Sequence, residues 1–303
     1  MTLSASDEGF AAAPARPQIL TPPPARPRAI RAVSEHPTLW IGAGLLALMA
    51  LVALFAPLIA GQDPSAINPA MRVKDPSSEA WFGTDMMGRD IFARVVYGAR
   101  VSLIVGVGVA VFASAAGLAI GLIAGFTRWA DNIVMRVMDG LMSIPAILLA
   151  IALMTLMRGG SVFNVIFAIT IAEIPRVARL TRSVVLTARE QPYVEAGTAC
   201  GASTLAIIRR HIMPNTFAPL TVQATYICAS AMITEAILSF IGAGTPTSIP
   251  SWGNIMAEGR ALWQVKPYVV FFPAAFLSVT VLAVNLLGDG LRDAVDPRLA
   301  RQV

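Results

Sequence analysis

Residues 37–62, 101–127, 140–157, 212–234 and 267–288 contain no Asp, Glu, Lys, Arg or His. An α-helix rises 1.5 Å per residue, so roughly 20 apolar residues cross a hydrocarbon core of about 30 Å. These windows predict membrane-spanning helices. A sixth span is expected at about 161–181, where Val162 to Ile174 is nearly all apolar although Glu173 and Arg176 interrupt it. Residues 236–257 are also charge-free, but Gly242, Gly244, Pro246, Pro250 and Gly253 stand among Ser, Thr and Asn. Such a backbone cannot satisfy its own polar groups against lipid. Residues 241–266 are therefore expected to form an extramembrane or protein-buried loop.

Composition agrees. Of 303 residues, 56% are hydrophobic and 14% charged, against about 45–50% and about 25% in soluble domains. Two soluble domains would need more charge, and disorder over most of the length is excluded. The organisation expected is a first transmembrane helix at 36–62, an extracytoplasmic segment at 63–100 and a five-helix core at 101–290. Residues 1–35 hold six prolines and are expected to be a disordered cytoplasmic tail; 291–303 form a second cytoplasmic tail.

The net charge of +5 has a topological explanation. With the N-terminus inside, the inner segments hold Arg16, Arg26, Arg28, Arg31, Arg128, Arg136, Arg176, Arg179, Arg182, Arg189, Arg209, Arg210, Arg292, Arg298 and Arg301, which is 15 of the 23 basic residues. This positive-inside bias puts both termini in the cytoplasm. No segment is both strongly basic and rich in aromatics, as a nucleic-acid surface would be. Cys200 and Cys228 make no disulfide framework or CxxC pair, and His36 and His211 make no zinc motif.

The inner segment between the fourth and fifth spans, 182–215, is long, and long ordered loops in compact domains are usually functional. Local rules parse it into two short helices. Pro192 suits a first helical position and Gly201 the residue past a helix end. Ser203 can cap a second helix. Arg209, Arg210 and His211 are expected in its last turn, where the helix dipole favours cations, before Pro214-Asn215 ends it. Tyr193, Ala196, Gly197 and Cys200 fall at i, i+3, i+4 and i+7 and form a narrow stripe of mostly small residues. Such a stripe either packs on the chain's own bundle or receives a cytoplasmic partner.

Other groups have local readings. Gly117, Gly121 and Gly125 recur at a spacing that lets helices pack closely. Asp139 with Arg136, and Glu173 with Arg176, are expected as i,i+3 pairs. Glu235 either faces a pathway or anchors the 241–266 loop through hydrogen bonds. Residues 81–100, with Trp81, Asp85, Arg89 and Asp90, read as a structural ledge before the second span.

Glu195-Ala196-Gly197, then Gly201, then Ile212-Met213-Pro214 resembles the EAA loop of importer-type ABC transporter permeases. Gly197 stands where the family has Ala, at a helix cost of up to about 1 kcal/mol, and Met213 stands where it has Leu. Trp81-Phe-Gly-Thr-Asp85, Gly88-Arg-Asp90, Gly98-Ala-Arg-Val-Ser-Leu103, Met138-Asp139 with Ile144-Pro145, Leu238-Ser-Phe-Ile-Gly242 and Asn285 to Asp293 are similar to the C-type permease of dipeptide, oligopeptide and nickel importers.

The resemblance implies an all-α, MetI-like fold with six spans in the bacterial inner membrane. It implies a second permease, two ATP-binding subunits and an extracytoplasmic binding protein as partners. It also implies that Tyr193, Glu195, Ala196, Gly197, Gly201, Ile212 and Pro214 couple the chain to an ATPase. The chain carries no G-x-x-x-x-G-K-[ST] loop; Lys74 and Lys266 are its only lysines and neither follows a glycine. No cofactor, metal or catalytic group is expected on this subunit, and ATP would be used by its partners. The pathway formed with the second permease is expected to carry peptides of the di- and oligopeptide class, with nickel chelates or glutathione as the alternatives in the same family; an ion-gradient-driven carrier is the rival class, though no internal repeat of the kind common in such carriers is evident.

Overall fold

The computed structural model describes residues 37–157 and 160–295. The tail expected at 1–35 lies outside these residues, as does 296–303. Among the described residues the structure is helical, with one isolated antiparallel bridge between Thr84 and Asp90. The elements are α1 (Pro37–Leu54), α2 (Ala56–Ala60), α3 (Ile91–Phe126), α4 (Arg128–Met142), α5 (Ala146–Leu156), α6 (Val162–Arg189), α7 (Pro192–Ala199), α8 (Thr204–Ile207), α9 (Met213–Phe240), α10 (Trp252–Gly259) and α11 (Tyr268–Val295).

Four helical stretches are long and apolar enough to cross a membrane: 37–54, 91–126, 204–240 and 268–294. A fifth results if α4 and α5 count as one span bent by 92°. The window 140–157 is therefore not one straight helix. Pro145 disfavours helical geometry at the residue before it. α4 accordingly stops at Met142, and α5 starts again after Pro145. α6 has the length of a span, but Glu173, Arg176, Arg179 and Arg182 give it a different composition.

Helix limits also depart from the charge-free windows. Pro57 helps to break the first window after Leu54. Arg100 donates to the carbonyls of Ala53 and Leu54 there, the latter at 2.9 Å, and so satisfies helix-end acceptors with a cation. α3 begins at Ile91 rather than 101. Asp90 caps it by accepting from the backbone N–H groups of Phe92 and Ala93 at 3.1 and 3.4 Å. Burial of Arg94 against carboxylates lets the helix carry that charge.

α3 and α6 form the most extensive helix pair. Their contact explains the glycine repeat. A Cβ on Gly117 would lie 2.4 Å from Cβ of Val177; on Gly121, 2.5 Å from Cβ of Thr181; on Gly125, 2.5 Å from Cγ1 of Val185. The repeat is thus a packing seam within this chain. α9 packs on the next part of α3, and α11 joins α9 to α1. Val105, Val109, Ile169, Ile227 and Met232 fill the buried centre.

The 81–100 ledge closes one end through a buried ion network. Asp85 accepts from Arg89 Nε at 2.7 Å and from Arg94 Nη1 at 2.8 Å; both arginines also donate to Glu258 on α10. Arg94 is 1% exposed. Removing one partner of such a network leaves the others charged and buried, which costs about 3–5 kcal/mol. Arg94→Ala should therefore sharply lower the thermal unfolding midpoint of the detergent-purified protein, whereas substituting exposed Arg72 should not.

The glycine- and proline-rich stretch 241–266 is ordered against protein. It contains α10, whose Trp252 is fully buried and donates Nε1–H to the Val95 carbonyl at 2.9 Å.

Candidate functional site

The segment between α6 and α9 folds as the two-helix loop that its local signals indicate. Pro192 opens α7 after Gln191. At its other end Gly201 adopts φ +80°, where a side chain would be strained. The Gly201 N–H donates to Thr198 O at 3.0 Å and the Ala202 N–H to Gly197 O at 3.1 Å. This is the paired closure of a glycine-terminated helix. Ser203 caps α8, accepting from the Ala206 N–H at 3.3 Å.

The end of the second helix differs from expectation. α8 does not stop at Pro214. It passes through a π-helical turn, Ile208–Ile212, into α9, giving one helix from Thr204 to Phe240. Arg209, Arg210 and His211 thus lie near the N-terminal end of a helix 37 residues long and not in a last turn, where the dipole would favour cations. Pro214 is tolerated because it stands in the first turn after the π-helical register change, where backbone donors are already displaced.

The loop has an inner and an outer side. Val194, Ile207 and Ile212 are buried with Val185 and Ala188 of α6, and Leu122 and Phe126 of α3 pack against them. Arg189 donates to the Gly125 carbonyl at 2.6 Å and lies over the Phe126 ring. Asn215 Nδ2 donates to the His211 carbonyl at 2.6 Å and to Tyr193 Oη at 3.3 Å, and the Tyr193 and His211 rings sit 5.9 Å apart. These contacts hold the loop to the bundle.

The outer side is open. Glu195, Ala196, Cys200, Gly201 and Pro214 are exposed, Gly197 is half-buried and Tyr193 is 42% exposed. The Glu195 carboxylate makes no hydrogen bond or ion pair among the described residues; its backbone N–H donates to the Gln191 carbonyl at 3.3 Å. The structure therefore gathers Tyr193, Glu195, Ala196, Gly197 and Gly201 on one accessible surface. Ile212 is fully buried and acts as an anchor from below. Leu205 on α8 is also open, at 73% exposure, and was not legible in the sequence. A bulky apolar residue at the start of a capped helix resembles any core position until the fold shows nothing above it.

Glu235 is fully buried. Its Oε1 accepts from Ser239 Oγ at 2.7 Å and from Thr245 Oγ1 at 3.4 Å. Thr245 continues to Ser251 Oγ at 3.2 Å, and Asn254 Nδ2, with two N–H donors, has four oxygens of residues 245–249 within 3.1 Å. Oε2 has no partner among the described residues. These are the bonds that tie the 241–266 loop to α9. Glu235→Ala should lower the amount of folded protein without changing which solutes are taken up. Altered solute preference in well-folded Glu235→Gln would instead assign the carboxylate to a pathway.

The acidic residues of α4 and α6 pair across helices as well as along them. Glu173 and Arg176 form the expected i,i+3 pair at 2.8 Å. Asp139 pairs with Arg179 of α6 at 2.6 Å and not with Arg136. Asp131 receives both Nε and Nη2 of Arg182, the latter at 2.7 Å. Among the described residues, no group of three or more His, Cys, Asp or Glu side chains is placed to hold a metal ion.

The described residues thus form a bundle of membrane-length helices with a two-helix loop docked on one end. Residues 117–301 match the binding-protein-dependent transport system inner membrane component family, and residues 28–76 match the N-terminal transmembrane domain of oligopeptide transport permease C. The chain belongs to the first of these families and is a multi-pass protein of the inner membrane. It is 55% identical to a probable peptide ABC transporter permease protein of Sinorhizobium fredii over 90% of this chain and 93% of the relative. It is 42% identical to a dipeptide transport system permease protein of Alkalihalophilus pseudofirmus, over 86% and 85%. A glutathione transport system permease protein of Pectobacterium atrosepticum is 39% identical, over 86% and 87%.

Proposed function

We propose that this chain is one of two permeases in a peptide importer driven by ATP. Substrate arrives on an extracytoplasmic binding protein, crosses between the two permeases and is released inside. Two ATP-binding subunits supply the energy, and this chain holds no nucleotide itself. The observation that carries the reading is the two-faced loop. Val194, Ile207 and Ile212 fix it to the bundle, while the side chains of Glu195, Ala196 and Leu205 are exposed. An element held rigidly from below and bare above suits transmission of a partner's movement into helices.

The six-span topology fits this role. α1, α3, the bent α4–α5 pair, α6, α9 and α11 would cross the membrane with both termini in the cytoplasm. The loop then lies on the inner side with the ATPases. Relatives named for peptides and dipeptides support the substrate class. A relative named for glutathione, itself a short peptide, points to the same chemistry.

The test is purification of the intact complex from its native membrane. ATP-binding subunits should co-purify, and the binding protein loaded with short peptides should stimulate ATP hydrolysis. A chain that purifies without any ATPase would overturn the reading.

A further inference from the structure

α4 carries two unlike stripes side by side on its open half. Trp129, Ile133 and Val137, at i, i+4 and i+8, share one side and are 74%, 50% and 54% exposed. Arg128, Asn132, Arg136 and Asp139 are exposed on the neighbouring side. Ala130 and Met138 are buried where the helix meets α3 and α6.

Its ion pairs set its level in the membrane. The 20 steps from Val162 to Arg182 of α6 cover about 30 Å, the thickness of a hydrocarbon core. Arg179 and Arg182 therefore stand at the boundary of that core. Asp139 pairs with Arg179, and Asp131 with Arg182. Eight residues of α4, about 12 Å, are thus tied to three residues of α6, about 4.5 Å. α4 runs steeply across α6, close to the membrane plane, where hydrocarbon gives way to headgroups. The 92° bend between α4 and α5 agrees. The crossing then falls to α5 and the residues after it, as far as Gly160, where an added Cβ would lie 3.1 Å from Cγ of Pro246.

Charge decides what meets this surface. Asp131 and Asp139 are taken by Arg182 and Arg179, whereas Arg128 and Arg136 form no ion pair among the described residues. A cleft of about 430 Å³ between α4 and α6 sets Arg136, Arg179 and Arg182 against Asp131 and Asp139, an excess of one positive charge. At a lipid boundary acyl chains and phosphates adjoin, in the same order as the two stripes, and amphipathic helices with basic polar faces lie in that plane. Trp is enriched at this level. The guanidinium fork matches phosphate oxygens.

We propose that α4 lies in the phospholipid headgroup layer on the side of the loop between α6 and α9, with Trp129, Ile133 and Val137 among acyl chains and Arg128 and Arg136 on the phosphates of anionic lipid. The inference rests on the permease reading for the leaflet, which is then the inner one. The lipid contact itself rests on the depth of α4 and its two stripes.

The test uses the intact importer in vesicles of neutral phosphatidylcholine with a minority of anionic phosphatidylglycerol. Photoreactive p-benzoylphenylalanine replaces Ile133 or, in a second variant, Val137. Mass spectrometry after irradiation identifies the adducts. Phospholipid adducts should form at both positions. Phosphatidylglycerol should exceed its share of the vesicle at least about fivefold among them, the enrichment expected of a single basic residue at a membrane surface. Arg128→Gln combined with Arg136→Gln should return that ratio to the vesicle's own while lipid adducts persist. The Val137 variant keeps the test valid if the Ile133 variant fails to assemble.

Adducts on the second permease, no lipid adduct, or phosphatidylglycerol at only its bulk share would each overturn the lipid site. In a complex that still performs ATP-driven uptake, any of these would leave the permease reading intact. Absence of ATP-driven uptake in the unsubstituted complex would overturn that reading, and the adduct ratio would still decide the lipid site.

Discussion

Glu195→Lys should abolish ATP-driven uptake while leaving the protein inserted and helical. The side chain is exposed and unpartnered among the described residues, so its replacement breaks no contact that holds the fold. Surface changes of this kind usually alter stability by no more than about 0.5 kcal/mol. The effect should instead appear where the loop meets its partner. Reversing a charge in a matched interface costs several kcal/mol. A loss of about 3 kcal/mol corresponds to a fall of about 100-fold in association. Uptake and co-purification of the ATPase should therefore drop together, with the amount of permease in the membrane unchanged.

Two neighbouring glycines separate contact from shape. Gly201→Val should reproduce the defect, because φ +80° strains a β-branched residue by about 1–3 kcal/mol and disturbs the turn between α7 and α8. Gly197→Ala should be silent in uptake. A Cβ there would meet only His211 Nε2, at an ordinary 3.9 Å. The family's Ala thus fits this backbone. Equal loss of uptake in both glycine variants would mean that the loop is sensitive to any change and that the assigned surface has no special role.

Gly121→Leu should prevent accumulation of folded permease. The seam between α3 and α6 leaves no room: a Cβ would stand 2.5 Å from Cβ of Thr181 and 2.7 Å from the Ala178 carbonyl. Overpacking a close-packed site costs about 1–3 kcal/mol and sometimes more. Here the obstruction is largely backbone and a β-branched side chain, which cannot rotate away, so the high end applies. Membrane association without an apolar driving force depends on such close approach. The expected result is loss of the monodisperse detergent-purified species. Gly140→Ala, where nothing lies within 4 Å of the added carbon, should purify normally.

Hydropathy and local capping chemistry carried much of the fold into view. The windows located the apolar helices because lipid excludes charge, and that rule acts residue by residue. They misplaced the ends where tertiary partners neutralise charge. Arg94 sits inside α3 because Asp85 and Glu258 surround it, and Glu258 is 164 residues away. A single window cannot register that pairing. The bend between α4 and α5 was foreshadowed by Pro145, but its 92° angle depends on what packs on either side.

The loop was legible for a different reason. Pro192, Gly201 and Ser203 act on their own backbone within a few residues, so their signals survive without tertiary information. The continuation of α8 into α9 was hidden because Pro214 ordinarily marks a boundary. A π-helical turn instead absorbs its missing donor. The polarity of the α6 surface was hidden as well. Glu173 to Arg182 could be listed from sequence, but only the three-dimensional arrangement places α3 on one side of them and open space on the other.

The most direct test of the proposed function separates energy sources. The complete importer, reconstituted in proteoliposomes with its binding protein, should take up labelled dipeptide only when ATP is supplied to the ATPase side. Inactivating the partner's ATP-hydrolysing site should stop uptake, and dissipating proton and sodium gradients should leave it unchanged. Uptake that continues without ATP and collapses with the ion gradient would contradict the assignment of this chain as the permease of an ATP-driven importer.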